Sequence, residues 1–344
     1  MAAIRLPSTM RALLHNQKKQ TLTIASTPLP TPSTSQYLIQ PHAVALTAGE
    51  LLWPRPEELT ISTPGVEFVA RVVTSPSSSS KFKPGDEVYG RVTYPQAGGA
   101  REYSVSDDTE LALRPKNLSI NEATTMPVSA LTAWQALFEQ FKLTPPSLES
   151  VKPPIQQQQQ QQRQRLLITN ASGGVGIWAV QLAKLVGLYV IGTTGPNNLD
   201  FVRSLGADEV LDYRTTNIRS WAEEDPASRK VDLVFDCIGL SSLEQAWHAV
   251  KQGGQVLTIV PPADMQWKFV LDRPEGVDES VNGKFFVMHP SGEQLGKITE
   301  LAEGGKVRAV VDSVFKLEEF EQAFERLGSG RTRGKVVLRI DEEE

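Results

Sequence analysis

The sequence predicts an α/β protein: a doubly wound parallel sheet set into a β-rich region that the chain leaves and later rejoins. Three observations carry this. From about residue 124 to 288, short β-prone apolar runs alternate with helix-like segments. A glycine-dense turn follows the first of these runs. The stretch before them shows strands and Pro, Gly and Ser breaks instead, and 344 residues suit two domains.

In the first region, Val66 to Val73 (VEFVARVV) and Glu87 to Val92 (EVYGRV) read as strands, rich in β-branched and aromatic residues. Pro84-Gly85-Asp86 is a turn signal. Ser75 to Ser80 reads as a solvated loop. In the middle region the strands are Leu166 to Thr169, Tyr189 to Ile191, Glu209 to Leu211, Val231 to Phe235 and Gly254 to Val260. Helical patterns at Gly174 to Val186 and Leu199 to Leu205 separate the first three. Such alternation implies parallel units with right-handed crossovers. A sixth strand, Lys284 to Val287, is expected at a sheet edge open to pairing. The last 55 residues or so hold two helical patterns, Ser291 to Ala302 and Leu317 to Leu327, and a strand, Val336 to Ile340. They are few for an independent domain and should pack back on the first region. The run Gln156 to Gln162 has little apolar surface and is expected to be a mobile loop.

Composition excludes several function classes. Hydrophobic residues make up 40% and charged residues 22%, ordinary for a water-soluble globular chain. The formal net charge is −5 with no basic block, so no nucleic-acid footprint is visible. No apolar run has the length of a membrane span, and Met1 to Gln20 has no secretory pattern. The single cysteine, Cys237, excludes an internal disulfide and fits a reducing, cytoplasmic setting. It reads as a small core residue. The four histidines are scattered, so no metal site is expected. His289 follows the sixth strand without a visible partner to tune it.

The sharpest motif is LLITN-ASGGVG, Leu166 to Gly176. A strand ends, the chain turns through small residues and a helix begins. A dinucleotide needs this: Gly173 lets backbone approach a pyrophosphate, Gly176 lets helix and strand pack closely, and the helix N-terminus offers N–H groups to the phosphates. Ala171 holds the first glycine's place. After the second strand the chain reads Gly192-Thr-Thr-Gly-Pro-Asn-Asn198, with no carboxylate to bind a ribose 2′-hydroxyl or repel a 2′-phosphate. NADP is therefore expected over NAD.

These motifs, with SLGADEVLDYR (Ser204 to Arg214), VDLVFDCIG (Val231 to Gly239), FKPGDEVYGRV (Phe82 to Val92), MPVSALTAWQAL (Met126 to Leu137) and GRTRGKVVL (Gly330 to Leu338), resemble the medium-chain dehydrogenase/reductase superfamily. Within it, the chain is similar to the zinc-free quinone oxidoreductase and enoyl reductase branch, including fungal enoyl reductases that act in trans with polyketide synthases. The resemblance implies a GroES-like β-rich domain from residues 1–123 and 289–344, with a Rossmann domain at 124–288 between. It implies NADPH, with Ser172, Gly173, Gly174 and Val175 at the pyrophosphate. Thr194, Gly195, Pro196, Asn197 and Asn198 would lie at the adenosine phosphate, and Tyr213 near the adenine. Ile259, Val260, Phe286 and Val287 would line the nicotinamide, with Thr47, Thr132 and Lys335 also facing the cofactor.

Zinc-dependent members place a cysteine near Thr47 and a His-Glu pair near Val66-Glu67. Threonine and valine there argue against catalytic zinc. Conjugate reduction of an enone needs a Lewis acid less than reduction of a simple ketone does. The segment Thr47 to Glu58 lacks the tyrosine that some zinc-free relatives carry, so Glu50 and Tyr94 are candidate proton donors, with solvent as the alternative. Leu51, Leu52 and Trp53 suit either a core or the wall of a cleft for a hydrophobic small-molecule substrate. The resemblance further implies a homodimer joined at the sixth strand, and brings in a polyketide synthase as a candidate partner. A reading of another class stays open: a fold that keeps its nucleotide site but has lost redox function, acting as a non-redox catalyst or synthase-associated scaffold.

Overall fold

The computed structural model describes residues 6–148, 163–261 and 269–341. The glutamine run lies outside them, as does part of the Pro261 to Glu279 loop. The described chain forms two units. The first runs to Leu131 and resumes at His289; the second is Thr132–Met288.

The first unit starts with β1 (Thr9–Asn16), β2 (Thr21–Pro28), β3 (Gln36–Ala45), β4 (Ile61–Ser62), β5 (Glu67–Thr74), β6 (Glu87–Arg91), β7 (Ser104–Asp107) and β8 (Leu111–Leu113). Helices α1 (Ile120–Thr124) and α2 (Pro127–Trp134) follow. The second unit contains β9 (Arg165–Ile168), α3 (Gly174–Leu185), β10 (Tyr189–Thr194), α4 (Leu199–Ser204), β11 (Glu209–Asp212), α5 (Ile218–Glu224), α6 (Pro226–Arg229), β12 (Val231–Asp236), α7 (Leu240–His248), β13 (Val250–Thr258) and β14 (Asn282–Phe285). The chain then rejoins the first unit with α8 (Gly292–Glu303), β15 (Val311–Lys316), α9 (Phe320–Gly328) and β16 (Lys335–Arg339).

In the second unit the strand order is β11-β10-β9-β12-β13-β14, all neighbours parallel. This is the doubly wound order, reversing between β9 and β12. Leu167, Ile191, Val234 and Val256 from four neighbouring strands form its core with Trp221 and Trp247. In the first unit, β16 enters between β15 and β3 of the larger sheet. The returning segment is thus a structural strand of that sheet, antiparallel to β3 through Leu338↔Val44.

Three expectations need correction. The units divide at Leu131, not at residue 123, because the start of α2 is held in the first unit: Val128 joins its core and donates its N–H to buried Glu67, at 2.8 Å. The second helical pattern of the return starts at Phe320, after a short 3₁₀ turn over Leu317–Glu319. The sixth strand is Asn282–Phe285, and its outer side is partly covered. Leu271 donates to the Gly283 carbonyl at 3.1 Å, and Phe285 donates to the Phe269 carbonyl at 3.0 Å. Irregular spacing hid this return, since it makes only one bridge, Val270 with Lys284.

The end of β16 is clasped to β3. Ile340 donates its N–H to the His42 carbonyl at 2.8 Å. The His42 ring is buried between two carboxylates, with Nδ1 2.5 Å from Asp341 and Nε2 3.1 Å from Glu87. Arg71 pairs with Glu87, and Arg339 with Asp341. A ring set between two carboxylates is matched best when both of its nitrogens carry protons. Burial alone would lower the imidazole pKa, but the hydrogen bonds to Glu87 and Asp341 outweigh it and raise it above its ordinary value. A raised folded-state pKa gives stability that is complete below the unfolded value and is lost as pH rises through the folded one. Thermal melts across neutral to alkaline pH should therefore show a loss that His42→Gln lacks. Identical pH slopes for the two proteins would contradict the clasp.

Candidate functional site

The carboxyl ends of the second unit's strands bring most of the proposed cofactor residues to one edge. Gly173 is the N-cap of α3, with no side chain capping the helix. A helix N-terminus so built can receive an anion. The cradle needs its glycines. A Cβ on Gly173 would lie 2.6 Å from Asn170 Nδ2, and one on Gly176 only 2.3 Å from the Asn170 carbonyl oxygen. Ala171, in the first glycine's place, faces Gly192 of β10, where an added Cβ would come within 2.8 Å of its methyl. Gly174 and Val175 are partly exposed in the first turn.

At the end of β10, Ser172 Oγ lies 2.7 Å from Thr194 Oγ1 and accepts from Asn198 Nδ2 at 3.3 Å. Pro196 and Asn197 are exposed beside them. The Tyr213 ring flanks Gly195, 3.5 Å from where its Cβ would be, and is 57% exposed. Arg214 next to it is an exposed cation that the sequence reading passed over. Ile259 and Val260 follow β13 directly. Phe286 donates to the Thr258 carbonyl at 3.1 Å and is buried, whereas Val287 is exposed. Thr132 is buried in the part of α2 that belongs to the second unit.

Asp236 was also missed. Fully buried at the end of β12, it accepts from Thr169 Oγ1 and Thr258 Oγ1, each at 2.7 Å, and from the Gly239 N–H at 2.9 Å. One carboxylate thus ties together the ends of β9, β12 and β13, where the turn and the segment after β13 begin.

A second cluster lies wholly in the first unit. Glu67, fully buried at the start of β5, holds Lys335 Nζ at 2.7 Å. Lys335 also donates to Thr47 Oγ1 at 3.0 Å, and Thr47 donates to Glu67 at 3.2 Å. Glu50 is buried beside them, its Oε1 accepting from the N–H groups of Gly65 at 2.7 Å and Val66 at 3.2 Å. Its Oε2 has no partner among the described residues. Burial, against the Gly65 hydrogen bond and the Lys335 charge, pushes its pKa up to about 7. Tyr94 differs: its hydroxyl donates to the carbonyls of Trp53, at 3.1 Å, and Pro54, at 2.5 Å. Its ring packs edge-on against Trp53, with Arg55 over its face. Leu52, an expected wall or core residue, is 67% exposed.

Comparison with known proteins places this arrangement. A probable zinc-binding oxidoreductase, mitochondrial, of Arthroderma benhamiae is 43% identical over 97% of this chain and 98% of its own length. The chain belongs to the medium-chain dehydrogenase/reductase superfamily. The zinc-binding dehydrogenase family model matches residues 205–338. A chloroplast envelope quinone oxidoreductase homolog of Arabidopsis thaliana is 29% identical over 90% of this chain and 92% of its own. The quinone oxidoreductase structure from Coxiella burnetii superposes with a TM-score of 0.78, at 24% identity over 97% of this chain and all of that one.

The superfamily supplies the fold expected of it, a Rossmann unit and a GroES-like unit, and makes the protein an oxidoreductase that works with a nicotinamide cofactor. The glycine cradle and uncapped α3 fit such a cofactor. A metal fits less well. The oxygens of Thr47 and Glu67 already hold an ammonium. Among the described residues, no group of three or more His, Cys, Asp or Glu is placed to hold a metal ion. His289 is exposed, with Nδ1 3.2 Å from the Pro290 carbonyl. Cys237 is half-buried, and burial pushes its thiol pKa well above the ordinary value. Among the described residues, no helix is long and apolar enough to cross a membrane.

Proposed function

We propose that the protein is an NADPH-dependent reductase of activated double bonds, in enones, enoyl groups or quinones, working without zinc. The observation that carries this reading is the end of β10. Ser172 and Thr194 place two buried hydroxyls there, hydrogen-bonded to each other, and Asn198 an amide; no carboxylate stands from Gly192 to Asn198, and Arg214 stands exposed nearby. A strand end without a carboxylate suits a ribose 2′-phosphate. The reduced nicotinamide, when bound, supplies hydride; the chain's part is to bind, orient and polarise. Relatives named as quinone oxidoreductases support the substrate class. Of the two candidate proton donors Glu50 is favoured, because the Tyr94 hydroxyl is committed to backbone carbonyls.

NADPH should bind about tenfold more tightly than NADH, roughly 1.4 kcal/mol. Titration calorimetry would measure this, and tighter NADH binding would overturn the cofactor assignment. Loss of the near-ultraviolet absorbance of NADPH with a panel of enones and quinones tests the reaction. Tight NADPH binding without turnover on any of them would favour a non-redox protein.

We also propose a homodimer through the β14 edge. The covering segment presents Phe269 at 58% and Val270 at 72% exposure, and Val287 beside it is 51% exposed. An isologous contact would bury them. Light scattering should give about twice the 37.8 kDa of the chain. The single cysteine supports a cytoplasmic setting, which fractionation of cells would test; the relatives above are named for mitochondria and chloroplasts.

A further inference from the structure

We infer that Asp236 is the positioning residue for the nicotinamide half of the cofactor seat, acting through Thr169 on the segment after β12 and through Thr258 on the segment after β13. The inference rests on the reading of the second unit's strand ends as a dinucleotide site, and every residue it uses belongs to that unit. The strand order reverses between β9 and β12. A dinucleotide lies across such a point, with one mononucleotide on each side. The adenosine side is assigned to the ends of β10 and β11, which leaves the ends of β12 and β13 for the nicotinamide side.

Two matched arms leave the carboxylate. On one, Thr169 Oγ1 donates to Asp236 Oδ1 at 2.7 Å and accepts from the Cys237 N–H at 2.8 Å. On the other, Thr258 Oγ1 donates to Asp236 Oδ2 at 2.7 Å and accepts from the Val260 N–H at 3.1 Å. A backbone N–H can only donate, so each hydroxyl accepts there with a lone pair and turns its one proton to the carboxylate. The direction of every bond in both arms is thereby set. A third bond runs directly from the Gly239 N–H to Oδ2 at 2.9 Å. The main-chain carbonyl of Asp236 also accepts from the Ile259 N–H at 3.2 Å. Asp236, Thr169 and Thr258 have no exposed surface.

These bonds reach segments that leave the sheet. Cys237 to Gly239 follow β12, and Ile259 to Pro261 follow β13. The two segments touch: a Cβ on Gly239, whose φ is +73°, would lie 2.8 Å from a Val260 methyl. With Gly239 and Val260 both drawn to one buried carboxylate, neither moves without the other. Backbone held in this way by buried hydrogen bonds keeps a ligand seat preorganised. On the adenosine side, Ser172, Thr194 and Asn198 form a separate cluster of their own. A break in the Thr258 arm should therefore be felt on the nicotinamide side of the seat.

Half of the ligand separates the two sides. Adenosine 2′,5′-bisphosphate carries the adenosine half of NADPH and lacks the nicotinamide half. Calorimetric titration of each into the full-length protein gives the two affinities. Thr258→Val keeps the shape of the side chain and removes the hydroxyl. It should weaken NADPH binding tenfold or more and leave the bisphosphate within twofold of the wild type. Thr258→Ser keeps the hydroxyl and should stay within threefold for both ligands. Asp236→Asn should repeat the selective loss, and it carries the test if Thr258→Val does not fold. In the cofactor-free protein, hydrogen exchange at the Val260 amide, followed by NMR, should speed up tenfold or more in Thr258→Val and not in Thr258→Ser. Equal losses of the two ligands, or no loss of either, would overturn the inference, because a merely structural role moves both or neither. So would a serine variant that behaves like the valine one. If the wild type prefers NADH, the NADPH assignment fails, and the same comparison run with NADH and adenosine diphosphate still tests Asp236. A wild type that binds neither pair would overturn the dinucleotide reading and the inference with it.

Discussion

Gly176→Ala should unfold the nucleotide-binding unit or leave it unable to bind NADPH. The added methyl would lie 2.3 Å from the Asn170 carbonyl oxygen and 2.7 Å from Ala171 Cα, both backbone atoms that cannot rotate away. Relief requires α3 to move off β9, at a cost of about 3 kcal/mol or more. Gly296→Ala is the control. It lies in α8, where an added Cβ meets nothing within 4 Å, so the same methyl should stabilise the protein by about 0.5–1 kcal/mol. Urea midpoints for the two variants, with a cofactor titration for the first, would measure both effects. Equal midpoints would mean that α3 and β9 are not packed as described.

Asp236→Ala should be comparably damaging. It strands two buried hydroxyls and the Gly239 N–H at once. Losing a buried charged acceptor with several donors costs about 3–5 kcal/mol. Asp236→Asn should cost less, since the amide oxygen can serve Thr169 and the Thr258 hydroxyl can turn to accept. Its remaining fault is an NH₂ that cannot accept from Gly239. Thermal unfolding in the order wild type, asparagine, alanine would agree with this, and an alanine variant as stable as the wild type would not.

The parallel sheet could be read from the sequence because its evidence is local. Each strand is a short apolar run, and ASGGVG must turn between the first strand and its helix whatever the rest of the chain does. The polar clusters could not be read that way. Glu67 and Lys335 become neighbours only because β16 pairs with β3, and β3 with β5. His42 meets Asp341 through the same pairing. Lys335 could be singled out only through the superfamily motif GRTRGKVVL, and nothing in that motif names its carboxylate. Asp236 was hidden differently. An acidic residue ending a buried strand reads as a turn signal until the two threonines that satisfy it are known to lie on neighbouring strands. The cover on β14 escaped because it makes only a single bridge, too short to alternate.

Ala171 and Gly192 share one small volume between two neighbouring strands, and that constrains the order in which the chain could change. Alanine at 192 beside alanine at 171 would set two methyl carbons 2.8 Å apart, with a Val202 methyl at 3.0 Å. If Ala171→Gly comes first, the gap it opens admits most of the methyl that Gly192→Ala brings, and only Val202 must yield. The two routes to the same double variant therefore differ: one passes through a mildly loosened intermediate, the other through an overpacked one. A population drifting toward a glycine at the first position of the turn would meet an open path in one direction and a barrier in the other. The present pair is then a ratchet position, at which the history of substitutions decides which residues remain reachable.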